Sequence, residues 1–140
     1  MKNDRRLRTL VVDGTPWLWT VRQRARPAYE DCRLTLAFWS ADRSRRERPR
    51  LAIVFAPTGT GVISNDRFES GTVIRMPDQH HLNLYEPGTA CRLLRAAQGV
   101  LGQDVPERDT ELDGWALAGP IMDATRYGTD YAAAASRSSA

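Results

Sequence analysis

The chain has 140 residues, 41% hydrophobic and 26% charged, with a net charge of +3 and two cysteines. That is the size of one ordinary domain, and such a chain buries about two thirds of its unfolded surface without a metal or disulfide staple. No run approaches the ~18 apolar residues of a membrane span, no signal-peptide stretch opens the chain, and Cys32 and Cys91 form no C-x-x-C pair, which argues against disulfide-scaffold and thiol-redox classes.

The expected compartment is a reducing cytoplasm. Both thiols, set among leucines, are expected to be free and buried. The charge is uneven. Residues 1–50 hold thirteen of the twenty basic side chains and six of the seventeen acidic ones, a balance of +7, and residues 51–140 carry −4. Lys2 is the only lysine. Arginine suits phosphate and carboxylate partners, but GC-rich coding gives the same bias.

Leu7–Val12 predicts a strand and Trp17–Arg22 a second, joined by Asp13-Gly14, a dipeptide suited to the positive φ angles of a tight hairpin. On the second strand Trp17, Trp19 and Val21 share the expected core face. Residues 31–39 alternate, with Cys32, Leu34, Leu36 and Phe38 on one face and Arg33, Thr35 and Ala37 on the other, as in a half-solvated antiparallel strand. A charged loop, 40–49, leads to a strand at 50–56 read as covered on both faces. Together these form a hairpin with an arginine-rich tip. Residues 57–71 read as loop with a short strand near 62–64, 72–76 as a strand, 77–81 as a connector and 82–85 as a short apolar segment.

Residues 87–101 give the clearest helix. Ala90, Leu93, Leu94, Ala97, Val100 and Leu101 recur at helical spacing, Pro87 suits the first turn, and Gly102 suits the stop. Residues 103–113 read as loop or weak helix. Trp115–Met122, broken by Gly119-Pro120, reads as a last strand. The expected fold is therefore α+β: an antiparallel sheet of about five strands, curved or barrel-like, packed by one amphipathic helix in the C-terminal half. Residues 1–131 form the domain and 132–140 a disordered tail.

The runs VDGTPWLWTVR, RLTLAFW and RLAIVF, followed by a proline-started helix, resemble the pattern of a family of small bacterial proteins of GC-rich genomes with no assigned role. The resemblance covers roughly residues 7–101. It implies a sheet-plus-helix domain and carries over no catalytic residue.

Asp78 and His80 are the candidate acid–base pair. An extended segment points both the same way and His81 the other; the plain alternative is a polar turn. With two histidines in the chain, no metal site is expected. The PTGTG run at 57–61 lacks the lysine and following helix of a phosphate loop, so it reads as a turn and no cofactor is expected.

Arg43, Arg45, Arg46, Arg48 and Arg50 form the densest cationic cluster, read as a partner-binding arm or as a solvated loop. Trp17, Trp19 and Trp39 line a pocket for a small apolar ligand, or are simply core. G-x-S-x-G and H-E-x-x-H are absent from the sequence, so hydrolysis by those mechanisms has no support.

The leading functional reading is a non-enzymatic binding or accessory protein with a protein partner. Behind it stand a small isomerase- or cyclase-type enzyme with an apolar pocket and the Asp78/His80 pair, and a nucleic-acid binder using the Arg43–Arg50 tip. Protein is favoured over nucleic acid because residues 51–140 are net negative and repel a polyanion. No membrane partner is expected.

Overall fold

The computed structural model describes residues 7–42, 48–64 and 71–124. The elements run β1 (Arg8–Val12), β2 (Thr15–Arg24), β3 (Arg33–Ser40), β4 (Leu51–Phe55), β5 (Gly61–Ile63), β6 (Thr72–Arg75), β7 (His80–Asn83), α1 (Pro87–Leu101), β8 (Thr110–Asp113) and a second helix, α2, over 114–124. A five-stranded sheet has the order β1-β2-β3-β4-β8, and β5-β6-β7 form a separate three-stranded sheet. The larger sheet is open, with β1 and β8 as its edges, so the barrel-like option is corrected.

The β1–β2 hairpin forms where Asp13-Gly14 places it. Both residues sit at positive φ, 52° and 82°, and Val12 pairs with Thr15 across the two-residue turn. The β3–β4 pair is antiparallel as expected. Between β2 and β3 the buried Cys32 sulfur organises the connector: it accepts the Arg26 N–H at 3.2 Å and lies 3.6 and 3.7 Å from the Arg26 and Ala28 carbonyls. Cys91 is also a free thiol but only half-buried.

The core lies on one face of the larger sheet. Trp17, Trp19 and Val21 of β2, Leu34, Leu36 and Phe38 of β3, and Leu51, Ile53 and Phe55 of β4 form a continuous cluster. Ala90, Leu93, Leu94 and Ala97 of α1 complete it, with Leu117, Ala118 and Met122 of α2 and Ile63, Val73 and Leu82 of the smaller sheet. The α1 stripe follows helical spacing through Ala97 to Leu101, which packs half-buried against the core; Val100 is 65% exposed, a correction to its expected place in that stripe. Gly102 ends α1 in the left-handed region (φ 72°) and donates its N–H to the Gln98 carbonyl, so the helix terminates where glycine permits.

Three segments differ from expectation. Residues 114–124 are helical, not a strand. Leu117, Ala118, Ile121 and Met122 repeat at helical spacing, and Asp113 caps the start by accepting the Trp115 N–H at 3.1 Å. Gly119-Pro120 lies inside this helix instead of breaking it. Residues 110–113, expected as loop or weak helix, form β8 parallel to β4. Residues 80–83, split between connector and apolar segment, form β7 against β6. The expected tail at 132–140 lies outside the described residues. Among the described residues no helix is long and apolar enough to cross a membrane.

Candidate functional site

The β6–β7 turn carries the acid–base candidates. Residues 76–79 reverse the chain, with Gln79 at φ 58°. Asp78 therefore does not lie on an extended segment. Its carboxylate is gripped by Arg75, whose Nη2 is 2.6 Å and Nε 3.3 Å from the two oxygens, and it accepts a backbone hydrogen bond from His80.

The Arg75 guanidinium, chiefly through this hydrogen bond, holds the Asp78 carboxyl below its ordinary range. Arg75 also reaches across to α2, 2.9 Å from Asp123 Oδ1 and 3.4 Å from the Gly119 carbonyl. The cluster thus ties the smaller sheet to α2. Asp78 meets the main chain of His80, and the His80 side chain lies half-buried opposite Arg75 in the strand register. This arrangement gives the carboxylate a structural task.

The three tryptophans separate. Trp17 and Trp19 are fully buried on the core face, and Trp17 meets Phe38 edge-on at 6.4 Å. Arg8 lies over Trp19 at 5.4 Å and over the Tyr85 ring at 5.2 Å, and donates to the Tyr85 carbonyl at 3.2 Å. Both indole N–H groups end without a hydrogen-bond partner among the described residues. Trp39 pairs with Leu18 and is half-buried on the opposite face of the sheet. One pocket cannot be lined by all three, because neighbouring positions on β3 point to opposite faces. The PTGTG run is a turn, as read: Thr58 Oγ1 accepts the Gly61 and Thr60 N–H groups at 2.7 and 3.2 Å.

Of the arginine arm, Arg43, Arg45 and Arg46 lie outside the described residues. Arg48 is half-buried, its Nε without a partner among the described residues. Arg50, also half-buried, enters β4 with its N–H donated to Asp109 Oδ1 at 2.8 Å.

At the other end of the sheet the register assembles a cationic group not singled out in the sequence reading. Arg24 stands directly opposite Arg33, and Arg22 lies two positions along β2 opposite Thr35. All three share the outer face, away from the core cluster. Arg33 turns its guanidinium back onto the Glu30 and Cys32 carbonyls at 2.9 and 2.7 Å. Arg22, Arg24 and the nearby Arg26 are exposed. The ion pairs among the described residues involve Arg75 and Arg95, and none of them includes Arg22, Arg24, Arg26 or Arg33.

The same face is not uniformly positive. Glu111 and Asp113 on β8 stand exposed at its far edge, in register with Ala52 and Val54. Between the two charged flanks, Thr20, Ala37 and Ala52 form a buried row at 4%, 0% and 0% exposure. The signal in the sequence was the period-two run Arg22-x-Arg24-x-Arg26, which puts like charges on one face of a strand. The contribution of Arg33 appears only once the strands are in register. Comparison with protein-family models, curated proteins and solved structures finds no match.

Proposed function

We propose that the chain is a non-enzymatic binding protein whose arginine-bearing sheet end engages an acidic surface on a protein partner. The observation that carries this reading is the placement of Arg24 directly opposite Arg33, with Arg22 beside them and none of the three in an ion pair among the described residues. Like charges facing each other across a strand pair cost stability. A group that costs stability on an exposed face fits a surface whose counter-charge comes from another molecule. Arginine also favours this, since its planar fork matches carboxylates two bonds at a time.

A protein fits better than a nucleic acid because Glu111 and Asp113 sit on the same face. A phosphate strand laid across the sheet would meet them, whereas a folded acidic patch has to reach only the β2–β3 end. The arm at Arg43, Arg45, Arg46, Arg48 and Arg50 joins the opposite end of β3 to β4 and would add a second basic contact.

The test compares binding by the parent with that of Arg22→Gln/Arg24→Gln, using nuclease-treated extract from the source cells. Loss of one defined acidic protein from the double variant supports the reading. Retention of the same partner by both refutes it. Binding to plain duplex DNA that falls steeply with salt and weakens in the variant would favour the nucleic-acid reading instead.

A further inference from the structure

We infer that β1 is a homodimerisation edge, pairing antiparallel with β1 of a second copy about a two-fold axis at Thr9. This surface is separate from the arginine group and does not depend on it.

β1 is the terminal strand of the larger sheet, so one side of its main chain has no strand partner among the described residues. Which groups face that side follows from the hairpin. In a two-residue loop the flanking pair, here Val12 and Thr15, exchanges both hydrogen bonds, and such pairs then alternate along the ladder. Val12, Leu10 and Arg8 therefore direct their N–H and C=O groups at β2. Leu7, Thr9 and Val11 direct theirs outward.

The side chains of those same three residues are the exposed ones. Leu7 is 52% and Val11 67% exposed, and Thr9 is exposed between them. The strand lacks the usual protections of an edge, such as an outward lysine, a proline or a bulge. Its one charged residue, Arg8, is turned inward over Trp19 and Tyr85.

The occupant follows from self-complementarity. A two-fold axis at Thr9 places each outward-facing group against its counterpart: Thr9 against Thr9, and Leu7 against Val11 in both directions. Every pair so formed is aliphatic or β-branched, of the kind that stabilises strand pairing. Arg8 falls opposite Leu10, so no two arginines meet. The symmetry is isologous and closed, as expected of a dimer. The two five-stranded sheets then run on as one, with both arginine groups on the same face.

The 140-residue chain should show twice its 15.7 kDa mass by sedimentation equilibrium. Thr9→Pro removes an outward N–H, a change that an edge strand tolerates. By symmetry two inter-chain bonds are lost, so the dimer should dissociate about tenfold or more readily while the melting of the monomer is preserved. Val11→Lys, which leaves the main chain intact, should also favour the monomer.

Thr9→Cys in a Cys91→Ser background should cross-link on mild oxidation, because directly opposed residues bring their Cα atoms to about 5.5 Å, within disulfide reach. Val100→Cys in the same background should not. A parent chain that stays monomeric overturns the inference. So does a dimer that survives both Thr9→Pro and Val11→Lys, or that fails to cross-link through position 9.

Discussion

Neutralising Arg24 should make the protein more stable. Its neighbours are Arg33 across the strand pair and Arg22 on the same face. Neighbouring side chains on one sheet face stand roughly 5–8 Å apart, and two unit charges at about 7 Å repel by about 0.6 kcal/mol in water before screening. A Debye length of about 8 Å at physiological salt reduces each repulsion to about 0.2–0.3 kcal/mol, whereas at roughly 10 mM salt most of it survives.

Two neighbours therefore give Arg24→Gln a gain of about 0.5 kcal/mol at physiological salt and about 1 kcal/mol at low salt. For a chain of this length that corresponds to roughly 3 °C in Tm at low salt. Arg24→Lys retains the charge and serves as the reference, so the difference between the two variants isolates electrostatics from packing. Thermal unfolding at two salt concentrations reads it. If Arg24→Gln melts below Arg24→Lys, or if the difference does not shrink with added salt, the group is not in electrostatic conflict and the main support for a binding surface falls.

Three further outcomes follow from the packing and the turn. Trp17→Phe removes an indole N–H that is buried without a partner; relief of about 1–3 kcal/mol opposes the loss of buried ring, so urea unfolding should place the variant within about 1 kcal/mol of the parent, whereas Trp17→Ala loses about 3–5 kcal/mol. Gly114→Ala should destabilise although it favours the helix, because its Cβ would lie 2.6 Å from the Phe55 ring; overpacking of this kind costs about 1–3 kcal/mol in an unfolding titration. Asp78→Asn should lower Tm at neutral pH, and the difference should vanish in acid. The folded Asp78 carboxyl is held below its ordinary value by Arg75, so its contribution is present above the unfolded value of about 3.9 and is lost as pH falls through the folded one. A Tm difference that stays constant through the acid range would contradict the Arg75 pairing.

Much of the fold was legible where local chemistry and burial agree. Asp13-Gly14 set the first hairpin, and Pro87 and Gly102 bracket α1. Alternation on β3 already separated Phe38 from Trp39, and applying that parity to the tryptophans would have excluded a shared pocket. The missed elements depend on partners distant in sequence. β8 is short and alternately exposed, and it is a strand because β4 lies beside it in parallel. In α2 the Gly119-Pro120 pair suggested a break, while the Asp113 cap and the spacing of Leu117, Ala118, Ile121 and Met122 were the stronger signals.

At the candidate site the same division holds. Arg22 and Arg24 are visible as a period-two run, but their meeting with Arg33 depends on how the connector between β2 and β3 sets the register. Asp78 looked catalytic only on an extended segment. The turn at 76–79 instead delivers it to Arg75.

The most direct test of the central claim is a photo-crosslinking residue placed at position 22 in the chain expressed in its source cells. The account predicts one discrete adduct with an acidic protein, abolished by Arg24→Gln and absent when the crosslinker is moved to exposed position 100. Crosslinking to nucleic acid alone, or an adduct indifferent to Arg24, would contradict it.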